Sequence, residues 1–207
     1  LTIGLDALLG MASSEFAIRV TSTSGVPLVV ERAVYPEDFQ ADGHAALASE
    51  GPSTTWFFAE GSTQHGGGEA FSTYVLIGNP NAAAATLTVR YLLEDAAPVV
   101  RVVTVPAMAR LTIDAGAEEA LVGRPFGIAI AADRPVMAAR SQYRGPAMRV
   151  GSSTEGVVAP SQTWEFAEGA TAGLFDTYFL LANPGTTDAT AVLTHRRDGG
   201  RTPLTRT

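Results

Sequence analysis

The octapeptide Trp56–Thr63, "WFFAEGST", returns as "WEFAEGAT" at Trp164–Thr171, 108 positions later. Reading this pair decides the fold. A catalytic motif is normally written once, whereas a structural repeat is written as often as the architecture needs it. The similarity extends on both sides. "FSTYVLIGNPN" from Phe71 returns as "FDTYFLLANPG" from Phe175, and "LTIGLDALLG" from Leu1 corresponds to "LTIDAGAEEALVG" from Leu111. "FAIRVTSTSGVPLVVERAVY" from Phe16 corresponds to "FGIAIAADRPVMAARSQY" from Phe126; Gly43 then aligns with Gly151 and Pro52 with Pro160.

The spacing varies where loops vary. Arg32 to Arg140 is 108 positions and Phe16 to Phe126 is 110, because "TSTSGVP" is longer than "AADRP". Tyr74 to Tyr178 is 104, because "GSTQHGGGEAF" is longer than "GATAGLF". Length changes confined to loops, with the flanking patterns intact, mark tandem domains. Connectors containing Pro and Ser precede each Trp, "GPSTT" at 51–55 and "VVAPSQT" at 157–163. They place the boundaries: 1–50 as the C-terminal half of a unit, 51–158 as a whole unit, and 159–207 as the N-terminal half of the next. On this reading the chain is a window onto a longer array. The alternative register has two permuted domains split near residue 98.

Within a unit the patterning is that of strands. "TLTVRYLL" at 86–93 puts Leu87, Val89 and Tyr91 on one face and Thr88 and Arg90 on the other. "VVRVVTV" at 99–105 follows across the hairpin loop "EDAAP", and "FGIAIAA" and "VMAARSQY" are expected to pair around a turn at "DRP". "DAGAEEALVG" at 114–123 reads as one or two helical turns, capped by Asp114 and ended by Gly123. Six to eight short strands in about 108 residues predict an all-β fold of tandem immunoglobulin-like β-sandwich repeats. There is no Cys…Trp…Cys signature of a true immunoglobulin domain.

Composition narrows the chemistry. Hydrophobic residues make up 46% of the 207, enough for a packed core. All 14 basic residues are Arg, so Schiff-base and P-loop lysines are excluded. The absence of Cys removes thiol catalysis, cysteine-ligated zinc and disulfides. A net charge of −7 opposes nucleic-acid binding, and Arg196, Arg197, Arg201 and Arg206 read as the solvated face of a strand pair. No run approaches the ~20 apolar residues of a membrane span, so no membrane insertion is expected, and no signal peptide is visible.

Three separated motifs, "W-x-F-A-E-G-x-T", "TY-x-L-x-N-P" and "G-V-P-L-V-V-E-R-A-x-Y", resemble repeat modules of large secreted and cell-surface bacterial proteins, in the same order. The resemblance covers essentially the whole chain. It implies a β-sandwich and an extracellular or cell-surface location, and it supplies no catalytic residues. The middle copy, "VMAARSQY", lacks the counterpart of Glu31.

Trp56 and Trp164, with Tyr35 and Tyr143, are read as packing residues; stacking on a glycan is the alternative. Glu60 and Glu168, with Arg32 and Arg140, are read as recurring ion pairs that fix strand register. Glu60 meets Arg140 if the Trp opens the unit, and Arg32 if the unit is permuted. Glu37, Asp38 and Asp42 gather before Gly43, but their spacing is not that of an EF-hand and the corresponding "YRGPAMRVG" has no acids, so a solvated loop is expected. His44, His65 and His195 lack metal spacing. Asn79-Pro80 and Asn183-Pro184 read as strand ends. No metal or cofactor is expected. The functional expectation is a non-catalytic structural or adhesive module, a filament or surface-layer component whose partners are copies of itself or neighbouring repeats. A carbohydrate-binding accessory module of a secreted enzyme is the alternative. A hydrolase using Glu60 or Asp38 would need an acidic cleft.

Overall fold

The computed structural model describes residues 2–5, 14–35, 43–66, 69–145, 150–173, 176–197 and 201–206. In chain order the strands are β1 (Glu31–Val34), β2 (His44–Leu47), β3 (Ser53–Ser62), β4 (His65–Gly66), β5 (Glu69–Gly78), β6 (Ala85–Leu92), β7 (Val99–Val105), β8 (Arg110–Asp114), β9 (Pro125–Arg144), β10 (Val150–Glu155), β11 (Leu193–Arg197) and β12 (Arg201–Arg206). The chain is all-β. Two 3-10 turns, Ala115–Ala117 and Glu119–Leu121, separate β8 from β9. The Asp114 side chain accepts from the Gly116 N–H at 2.8 Å, and Gly123 ends the segment at φ 75°, a conformation that favours glycine.

The organising element is β9, and here the structure corrects the sequence reading. "DRP" is not a turn: Pro125–Arg144 runs as one strand of 20 residues. Its first part pairs antiparallel with β3 (Trp56↔Ile130) and β6 (Val89↔Ile130). Its second part pairs with β5 (Leu76↔Ala139) and β10 (Ser153↔Ser141). Asp133, Arg134 and Pro135 lie where β9 changes partners, and no ladder partner is recorded for them. A proline N–H is not needed there, so the residue that signals a turn also fits a strand between two ladders. The segment is held sideways instead: the Asp133 carboxylate accepts from the Thr86 N–H at 2.8 Å, and the Pro135 carbonyl accepts from Asn81 Nδ2 at 2.8 Å.

One β9 thus serves two layers, β3–β9–β6–β7 and β8–β5–β9–β10, with the core between them. Alternation supplies that core. Leu87, Val89 and Tyr91 are fully buried while Thr88 and Arg90 are half-buried. Ile128 and Ile130 face inward from the first part of β9, Val136 and Ala138 from the second, and Val75 and Ile77 from β5. Tyr91 meets Phe126 edge-on at 5.3 Å. Every buried hydrophobic residue among those described lies between Trp56 and Ala138.

Outside that span β1 pairs with β2 and β11 with β12. Residues 164–171 and 176–183, the counterparts of β3 and most of β5, form no strand. β3 takes its ladder from β9, and β5 pairs with β4, β8 and β9.

Candidate functional site

Trp56, Glu60 and Arg140, residues whose types recur in the sequence, lie on the paired strands β3 and β9. Trp56 is 1% exposed, and its Nε1 donates to the Val136 carbonyl at 2.9 Å, tying β3 to β9 where β9 leaves the first layer. Trp164, at the same place in the next copy, is 56% exposed. Phe166 and Phe179 beside it contact each other at 5.8 Å.

Glu60 on β3 meets Arg140 on β9. Arg140 Nη1 donates to Glu60 Oε2 and to the Glu60 carbonyl, each at 2.9 Å. The Arg140 side chain is 9% exposed and that of Glu60 31%. One guanidinium nitrogen therefore fastens a side chain and a backbone carbonyl of the opposite strand. Arg32 takes a different partner, donating from Nη2 to Ser153 Oγ on β10 at 2.8 Å. Glu168 is exposed and makes no ion pair among the described residues. Tyr143 packs edge-on against Tyr74 at 6.0 Å and against His44 at 6.2 Å. Tyr35 is 56% exposed. Trp56, Glu60 and Arg140 come together; Trp164, Glu168 and Tyr35 do not join them.

Asn79 does more than end a strand. Its Nδ2 donates to the carbonyls of Ala83, Val105 and Pro106 at 2.9–3.0 Å, and its Oδ1 accepts from the Asn81 N–H at 3.0 Å. It is 2% exposed and stitches the end of β5 to the end of β7. The signal in the sequence was its recurrence: Asn183 forms the same kind of local bonds, to the Thr187 carbonyl and the Gly185 N–H. Thr63 and Thr73 are likewise buried, with Thr73 Oγ1 donating to the Ser62 carbonyl at 2.8 Å and Thr63 Oγ1 to that of Leu121. Nothing in a lone threonine marks it for such a role.

Among the described residues, three groups ionise away from their ordinary values. Burial pushes the Tyr91 phenol up to about 12, against an opposing pull from Arg101. Burial raises Tyr74, with Asp114 and Tyr143 adding to it. Burial also raises the Glu155 carboxyl, opposed by Arg32. A shallow cleft of about 510 Å³ lies between the outer face of β3–β9–β6, at Phe57, Arg90 and Ala129, and the segment Asn183–Gly185. It holds no acid.

Among the described residues no group of three or more His, Asp or Glu is placed to hold a metal, and no helix is long and apolar enough to cross a membrane. Glu37, Asp38 and Asp42 lie outside the described residues, as do the side chains of His65, His195, Arg196, Arg197, Arg201 and Arg206.

No protein-family model matches the sequence, and no curated protein is similar to it. Among solved structures the chain is similar to Thermotoga maritima 1070, with 23% identity and a TM-score of 0.47 over 52% of this chain and 96% of that one. It is also similar to the Anabaena sensory rhodopsin transducer, with 21% identity and a TM-score of 0.36 over 42% of this chain and 92% of that one.

Proposed function

We propose that the protein is a non-catalytic structural module: tandem immunoglobulin-like β-sandwich repeats, with 51–158 as one whole unit, extending an extracellular or cell-surface bacterial assembly. The observation that supports this reading is the use made of the recurring residues. Trp56, Glu60, Asn79 and Arg140 are the side chains that a binding or catalytic role would present to a ligand. Each instead bonds to another strand or loop of the same unit. Residues repeated for this purpose build the unit, and units are then multiplied for length and spacing.

Light scattering across a range of concentrations tests the proposal. Ordered multimers that grow with concentration support a self-assembling filament or surface layer. A monomer at every concentration that also binds no surface polymer counts against it. A second reading, a carbohydrate-binding accessory module, draws on Trp164 and on Tyr178, which is 77% exposed. Glycan binding that is lost in Trp164→Ala would favour that reading.

A further inference from the structure

The chain contains two junctions between consecutive units, and the repeat makes them comparable. Phe16 corresponds to Phe126, so Ala17 corresponds to Gly127; Tyr74 corresponds to Tyr178, so Gly78 corresponds to Ala182. At the first junction, a methyl placed on Gly78 would lie 3.4 Å from Ala17 Cβ. At the second, a methyl placed on Gly127 would lie 2.7 Å from Ala182 Cβ. Equivalent positions therefore meet at both junctions, with the glycine and the alanine exchanged.

We infer that consecutive units stack through one repeated head-to-tail interface. The outer face of the β3–β9–β6 layer of each unit seats against the outer face of the β8–β5–β9–β10 layer of the next. The occupant of each face is a neighbouring unit of the same kind. This deepens the structural-module reading, on which it rests.

Both faces carry the contacts this requires. On β9, Gly127 and Ala129 alternate with the core residues Ile128 and Ile130, so they point away from the core and toward the following unit. There Pro160 and Asn183–Gly185 line the cleft on that face. On the other layer the preceding unit lies along β8 and β10. Glu15 pairs with Arg110, Arg32 bonds to Ser153, and the His44 ring meets Tyr143. The two faces differ in residues and in shape, so the interface is heterologous. Such an interface repeats along an array without pairing off as a two-fold dimer would. Small residues where the sheets meet bring the backbones close. The second junction holds one methyl, whereas the first has room for another, because Met137 Cε, 2.9 Å from the added methyl, is the movable end of a side chain.

The test uses the full chain, which has no native Cys to interfere. Ala17→Cys with Gly78→Cys brings two Cβ atoms close to the ~3.5–4.5 Å span of a disulfide. Under mild oxidation it should give a monomer whose digest contains the 17–78 cross-link, absent from either single variant. Absence of that link, or links formed only between chains, overturns the stack. At the second junction, Gly127→Ala should speed proteolysis within 159–192 by roughly tenfold, since overpacking a filled contact opens it. Adding Ala182→Gly should return the rate to within about twofold of the parent. Gly127 has only ordinary contacts within its own unit, to Phe58 and Leu92 at 3.5 and 3.6 Å. A failure of Ala182→Gly to rescue, or a Gly127→Ala chain as resistant as the parent, therefore overturns the inference. Neither measurement reads assembly or surface binding, so the stack and the structural-module reading fail separately.

Discussion

Trp56 and Trp164 occupy the same place in the repeat and sit in opposite surroundings. Trp56 is enclosed and hydrogen-bonded to β9, and Trp164 is more than half exposed. Trp56→Ala should cost ~3–5 kcal/mol of stability in chemical denaturation followed by circular dichroism. Trp164→Ala should cost less than ~1 kcal/mol in the same measurement. Glu60→Ala should cost roughly 2 kcal/mol, because it leaves the Arg140 guanidinium buried beside a single carbonyl. That is below the ~3–5 kcal/mol of a fully buried broken pair, since Glu60 is partly solvated. Tyr91 is a residue whose chemistry limits the fold. Its Oη is buried without a hydrogen-bond partner among the described residues, and burial raises its pKa to about 12. The unfolded phenol ionises near ~10. The contribution of Tyr91 to stability is therefore full below that pH and is lost as the pH climbs toward about 12. Tyr91→Phe should reduce this alkaline loss, read as urea midpoints that fall less steeply than the parent's as the pH is raised above ~10.

At the scale of elements, the strand patterns were written locally and the partners were not. The alternation in Ala85–Leu92 announces which face of β6 is buried, because a strand's period of two can be read within a few residues. β9 is different. Asp-Arg-Pro is composed like a turn, and only the two ladders supplied by distant strands keep it extended. The recurrence of Glu60 and Arg140 was visible, but two arginines were available to Glu60. The choice between them depends on register, which a single strand does not encode. Asn79 looked like a strand terminator because Pro80 follows it; its carbonyl partners come from the far end of β7. Asn79→Ala leaves those carbonyls without their donor and should lower stability by about 2 kcal/mol, seen as a shifted denaturation midpoint with unchanged slope.

Across the whole molecule, segments distant in sequence influence each other through charge as well as shape. Glu155 on β10 is half-buried, and the group opposing its burial is Arg32. Its carboxyl titrates above the ordinary 4.5. Its contribution to stability is therefore full below the unfolded pKa and is lost as the pH rises through the raised folded value. Glu155→Gln should raise the thermal midpoint at neutral pH and do so progressively less as the pH falls toward ~4, where the parent carboxyl takes up its proton. The long strand β9 also sets a timetable. Trp56 pairs with Ile130, and Ser53 with Val136, across most of the unit's length. A chain emerging from the ribosome must leave β3 without its ladder until β9 appears, since contacts so distant in sequence form late. Meanwhile the earlier stretch Phe16–Tyr35, which aligns with the awaited strand and shares its Phe, Ile, Pro, Arg and Tyr, is already present. β3 thus matures in the presence of a decoy, and pairing with that earlier stretch is the misfolding route to which it is exposed.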